Sequence, residues 1–136
     1  MRFVLYLIKA GLLPVRFVVT SKSRESVDLA FGIVPPPVRF DTVVTFDDTE
    51  RHKPEPEPIL LALERLGVEP GRAAYVGDAP WDVQAARAAG CAAVAVSWGS
   101  ATADRLREEA PDELVGTPSA LAALLLGEAS VRDGAT

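Results

Sequence analysis

The run Ala73-Ala74-Tyr75-Val76-Gly77-Asp78-Ala79-Pro80 constrains this chain more than any other. The apolar residues read as a buried strand, Gly77 allows a sharp exit and Pro80 suits the first turn of a helix, so a strand passes directly into a helix here. The same grammar recurs along the chain. Strands are expected at 15–20, 41–46, 73–77 and 92–97, and helices at 23–32, 56–67, 80–89, 101–109 and 117–126. Such alternation demands an α/β fold with a parallel, doubly wound sheet.

Within that frame, Ile59, Leu60, Leu63 and Leu66 recur at helical spacing and mark the buried face of the 56–67 helix. The 80–89 helix is rich in alanine, which allows close approach to the sheet, and Arg87 is expected to point outward. Pro35-Pro36-Pro37 is a stiff connector because a strand follows at once. No internal repeat is present. Residues 2–11 are expected as a helix, although Arg2-Phe3-Val4-Leu5-Tyr6-Leu7-Ile8 is aromatic and branched enough for a strand. Residues 1–126 form one unit, and the small, polar tail 127–136 is expected to be disordered.

With 136 residues, 49% of them hydrophobic, the chain can bury a core of its own. A formal charge of −5, with no basic run, argues against nucleic acid as a partner. The apolar stretch Phe3 to Ile8 is too short to span a bilayer, so no membrane role is expected. Cys91 is the single cysteine, which excludes an internal disulfide and suits a reducing, cytoplasmic location.

Chemistry concentrates at the strand ends. Asp78 and Asp82, four residues apart at the carboxyl end of a strand and the start of a helix, supply hard oxygen donors of the kind Mg²⁺ takes. The competing reading is an ordinary helix cap. Upstream, the alternating prolines of Lys53-Pro54-Glu55-Pro56-Glu57-Pro58 hold an extended path and give Lys53 a defined direction. One helix, one turn and one strand separate it from the acidic pair, so both can reach the same sheet edge. Further back, Phe17-Val18-Val19-Thr20 ends a buried strand in a hydroxyl, and Thr20 and Ser21 together can cradle a phosphate. Here too the plain alternative is a cap, with Ser21 or Ser23 closing the helix that follows.

Val18-Val19-Thr20-Ser21-Lys22, His52-Lys53-Pro54 and Gly77-Asp78 with Asp82 together resemble the second, third and fourth motifs of the haloacid dehalogenase (HAD) superfamily, nearest its phosphoglycolate phosphatase and pyrophosphatase-like members. Phe40-Asp41-Thr42-Val43-Val44, Arg87-Ala88-Ala89-Gly90 and Trp98-Gly99 extend the likeness. The resemblance implies a Rossmannoid three-layer sandwich and a Mg²⁺-dependent phosphatase acting on a small phosphomonoester. Lys53, Thr20 and Ser21 would meet the phosphate, Lys53 would have the catalytic role, and Asp78 and Asp82 would hold the metal.

The resemblance also implies a first motif, an apolar strand running into Asp-x-Asp-x-Thr, whose leading aspartate attacks phosphorus. The nineteen residues before Thr20 contain no aspartate or glutamate. Phe46-Asp47-Asp48-Thr49 lacks the spacing and follows the second motif, so it reads as a polar turn leading to Lys53. Without a nucleophile, electrostatic clamping cannot perform covalent phosphoryl transfer. The expectation is an incomplete, inactive portion of the fold that lacks its first central strand. The alternatives are a phosphate- or metal-binding remnant without catalysis, or one half of a split enzyme completed by a partner chain. The vacated slot would leave two apolar strand edges to be filled, by residues 2–8 folded antiparallel beside 15–20 or by a second chain.

Overall fold

The computed structural model describes residues 7–8, 17–34 and 40–125. The expectations placed on the 127–136 tail, on Pro35-Pro36-Pro37 and on residues 2–6 and 9–11 lie outside them. The best-bounded unit is the one that led the sequence reading. Strand β4 (Ala73–Gly77) is buried along its whole length and passes into helix α3 (Pro80–Ala89). Gly90 ends that helix in the left-handed region at φ 85°, which lets the chain turn back into β5 (Ala92–Val96). Helix α4 (Ala103–Arg107) is shorter than the expected 101–109: Thr102 caps its start, and the chain leaves it through Ala110 at φ 50°. Strand β6 (Glu113–Val115), absent from the sequence reading, then pairs in parallel with β5, and α5 (Pro118–Leu125) closes the described chain.

Ahead of this unit come β1 (Leu7–Ile8), β2 (Phe17–Val19), α1 (Arg24–Ile33), β3 (Thr42–Val44), a 3-10 turn over Phe46–Asp48 and α2 (Glu57–Leu66). Strands β2 and β3 pair in parallel, Val19 opposite Val44. The α/β class and the parallel pairing follow the expectation. Among the described residues the strands form two sheets, β1-β4-β5-β6 and β2-β3, and no backbone ladder joins β2 to β4.

A correction concerns the amino end. Leu7–Ile8 is strand, not helix, and it lies antiparallel beside β4, with Leu7 opposite Ala74 and Ile8 opposite Ala73, instead of beside β2. The open edge of β4 offers backbone partners there, which outweighs local helix preference.

Helix α2 holds the two sheets under one roof. It packs on β2, on β3 and on α3 through Ile59, Ala62 and Leu63, all buried. Leu60, expected on that face, is 39% exposed, because the stripe runs 59, 62, 63, 66 and position 60 falls outside it. A single core results, joining Phe17, Val19 and Val44 to Tyr75, Val83, Val94 and Leu106.

Candidate active site

The turn after β4 is organised by Asp82. Its Oδ2 accepts hydrogen bonds from the backbone N–H of Asp78 (3.2 Å) and of Ala79 (3.1 Å), so a carboxylate in the first turn of α3 ties up the donors that the chain leaves open as it enters the helix. The price of that fit is a glycine. A Cβ on Gly77 would fall inside van der Waals contact with Asp82 Cβ and Cγ.

The other oxygen of Asp82 takes Lys53. Nζ lies 2.7 Å from Oδ1, with the lysine side chain 6% exposed and the aspartate 3%. The Lys53-Pro54 peptide bond is cis. Two buried ions need mutual pairing and additional hydrogen bonds to offset their desolvation, and this pair has both. Lys53 also donates to the Tyr75 hydroxyl at 3.3 Å, and that hydroxyl donates to the Val19 carbonyl at 3.3 Å. Burial holds the Tyr75 phenol well above its ordinary pKa, and the carboxylates of Asp82 and Asp78, with Cys91, push the same way. The phenol is therefore protonated and able to donate. Sequence reasoning missed Tyr75, although a hydroxyl inside an otherwise apolar buried strand is a signal, because a buried tyrosine needs a partner.

Asp78 points elsewhere. Its Oδ2 accepts from Ser100 N–H at 3.0 Å, and its carbonyl accepts from Ser100 Oγ (3.1 Å) and Ala101 N–H (3.2 Å). The loop after β5 thus folds over the acidic turn, and Gly99 permits it: a Cβ there would overlap the Asp78 carboxylate. Spacing alone put Asp78 and Asp82 facing one way, whereas the carboxylates engage different partners.

Thr20 is buried and follows Val19 directly, so the carboxyl end of β2 lies beside Tyr75 and Lys53. Its Oγ1 accepts from Lys22 N–H at 3.2 Å, while Ser21 is exposed. Ser23, not Ser21, caps α1, and the carboxylate of Asp47 adds a 2.6 Å bond from Arg24 N–H. That helix terminus therefore has an anion of its own.

The Phe46–Asp48 turn is structural, as its sequence suggests. Asp48 Oδ2 accepts from Thr45 N–H (2.7 Å), Thr45 Oγ1 (3.0 Å) and the Arg24 guanidinium (3.0 Å). Burial alone would raise the Asp48 pKa, but the Thr45 hydrogen bonds and the charges of Arg24 and Arg65 hold it below the usual carboxylate range. Beside it, His52 stacks on Phe46 with centroids 3.8 Å apart and donates from Nε2 to the Phe46 carbonyl at 2.8 Å. The residue before Lys53 is thereby anchored.

As a metal site, the arrangement is partial. Among the described residues no three His, Cys, Asp or Glu side chains group as a cage. Both Asp82 oxygens are engaged by Lys53 and the turn. Asp78, only partly buried, is a hard oxygen donor suited to Mg²⁺, which commonly takes one or two carboxylates and completes its shell with water and phosphate.

Comparison with known proteins identifies the family. A family model described as haloacid dehalogenase-like hydrolase matches residues 13–96. Pyrophosphatase PpaX of Bacillus velezensis is 41% identical over 98 residues, 72% of this chain and 45% of that protein. Its namesake from Bacillus cereus is 37% identical over 108 residues, 79% of this chain and 50% of that protein. The chain thus spans about half the length of these curated relatives. Among solved structures, a conserved haloacid dehalogenase-like protein of unknown function from Agrobacterium tumefaciens superposes with a TM-score of 0.75 at 26% identity, covering 87% of this chain and 56% of that one. A HAD-superfamily hydrolase of subfamily IA from Geobacter sulfurreducens gives 0.65 at 28%, covering 80% and 47%.

Proposed function

Because the chain belongs to the haloacid dehalogenase-like hydrolases, we propose that it supplies the phosphate- and metal-facing half of a Mg²⁺-dependent phosphatase for a small phosphorylated compound. The observation that carries this reading is the buried Lys53–Asp82 pair beside the Gly77–Pro80 turn, with the end of β2 next to it. Lys53 would meet a phosphoryl oxygen, and Thr20 and Ser21 would offer N–H and hydroxyl groups to the others. Asp78 would give the metal its carboxylate, while Asp82 would hold Lys53 in place. Bound Mg²⁺ would offset the two carboxylates and draw electron density from the phosphoryl group.

The relatives named pyrophosphatase support a small substrate with two anionic groups; phosphoglycolate is of the same kind. The buried thiol of Cys91 supports a reducing compartment such as the cytoplasm. No helix among the described residues is long and apolar enough to cross a membrane.

The attacking carboxylate is the part these residues do not provide. Asp47 and Asp48 are committed to the start of α1 and to their own turn. The 136-residue chain is therefore expected to hydrolyse neither p-nitrophenyl phosphate nor pyrophosphate, with or without Mg²⁺. Adding a peptide that carries an apolar strand ending in Asp-x-Asp-x-Thr should restore turnover if a complementing chain completes the sheet. Turnover by the chain alone that survives purification and disappears in Asp78→Ala would overturn the assignment of an absent nucleophile.

A further inference from the structure

The structure assigns a role to Tyr75 that no motif marks: we propose that it is a positioning residue, whose hydroxyl aims the Lys53 ammonium for anion capture while its own hydrogen bond to β2 holds the phenol in place. The inference rests on the proposed phosphate-binding role of Lys53 and adds the group through which that lysine is held.

An ammonium has three N–H donors. One goes to Asp82 Oδ1 at 2.7 Å and a second to the Tyr75 hydroxyl at 3.3 Å. Two fixed partners determine where the third hydrogen points, so an incoming anion meets a donor already oriented. The tyrosine is held in turn. It is 1% exposed, its ring lies 6.5 Å from that of Phe17 in β2, and its hydroxyl donates to the Val19 carbonyl.

That last contact has a second consequence. Strands β2 and β4 belong to different sheets, and Val19 is fully buried on β2. A buried carbonyl without a partner is costly, and here the hydroxyl of a β4 residue takes the place of a ladder N–H. One phenol therefore connects Lys53, the strand that leads to Asp78 and the strand that leads to Thr20. Asp82 alone could pair with Lys53, but it makes no link to β2.

Inorganic phosphate, titrated in the presence of Mg²⁺ and followed by NMR shifts of Thr20 and Ser21 amides, tests this with the pair Tyr75→Phe and Lys53→Met. Losing one hydrogen bond to an ionised group should weaken phosphate binding about three- to tenfold in Tyr75→Phe, which keeps the ring and its packing. In a Lys53→Met background the same substitution should change binding by less than about twofold, since the effect passes through the ammonium. If Lys53→Met does not fold alone, Lys53→Met with Asp82→Asn removes both charges and serves as the background. An equal loss in both backgrounds, or no loss in Tyr75→Phe while Lys53→Met weakens binding, would overturn the role of Tyr75 and leave that of Lys53 standing. Binding unchanged by Lys53→Met would overturn the phosphate-binding reading itself.

Discussion

Lys53 Nζ and Asp82 Oδ1 stand 2.7 Å apart, with both side chains almost wholly buried. The two residues come from different elements, an extended proline-framed segment and the first turn of α3, so their meeting ties the two elements together.

Removing either partner strands the other as a buried charge. Asp82→Ala also takes away the acceptor of two backbone N–H groups. Urea denaturation should show a loss of about 3–5 kcal/mol for Asp82→Ala or Lys53→Met. The double replacement Lys53→Met with Asp82→Ala should lose distinctly less than the sum of the two single losses, because no ion is left unpaired. Additive losses would mean that the pair contributes no coupling.

Gly99 lies against the carboxylate of Asp78. Gly99→Ala forces either the 97–101 loop or the carboxylate to move, at about 1–3 kcal/mol as judged from other overpacked sites. Thermal melting measures the cost. A variant as stable as the parent would show that the loop shifts freely.

Mg²⁺ affinity should be weak, on the order of millimolar, because the described residues offer too few carboxylates for a cage. Asp78→Asn should weaken it further, whereas Asp82 already spends its oxygens on Lys53 and the turn. Calorimetry that found micromolar binding unaffected by Asp78→Asn would place the metal elsewhere.

The acid limb of stability should depend on Asp48. Its folded-state pKa is held below the ordinary aspartate value, so the ionised form contributes stability that is fully present above that ordinary value and is lost as pH falls through the lower folded one. The stability gap between the parent and Asp48→Asn should therefore be constant near neutrality and narrow below about pH 4. A gap unchanged down to pH 2.5 would contradict the assignment.

Cys91 is 8% exposed, and burial pushes its thiol up to about 11. At pH 8 its thiolate fraction should be about a hundredfold below that of an unperturbed cysteine. Iodoacetamide should label it slowly in the folded chain and rapidly in urea. The sign for stability is fixed as well: between pH 9 and 11 the unfolded chain ionises first, so stability falls as pH rises. Cys91→Ala should flatten that fall.

Strand β4 and helix α3 were legible to the residue, 73–77 and 80–89, because Gly77, Pro80 and Gly90 punctuate them and the strand is apolar throughout. Strand β6 was not, since Glu113-Leu114-Val115 is too short for a period and buries only Val115. Leu60 misled because leucine content suggested the stripe while the 3.6-residue period excluded that position. The helix expected over 2–11 failed at Leu7–Ile8, where β4's open edge supplied hydrogen-bond partners that no local preference encodes.

By itself the sequence determined the α/β alternation, the strand-to-helix turn carrying Asp78 and Asp82 and the family resemblance, all of which are properties of neighbours along the chain. Only the tertiary structure decided which oxygen goes where. It turned Asp82 back onto its own turn and Lys53, sent Asp78 towards Ser100, and used Tyr75 to join two sheets that no ladder connects among the described residues. The physical reason is that buried ions and carbonyls must find partners within about 3 Å in space, and outside the Asp82 turn itself the partners of these groups lie 22 to 56 positions away in sequence.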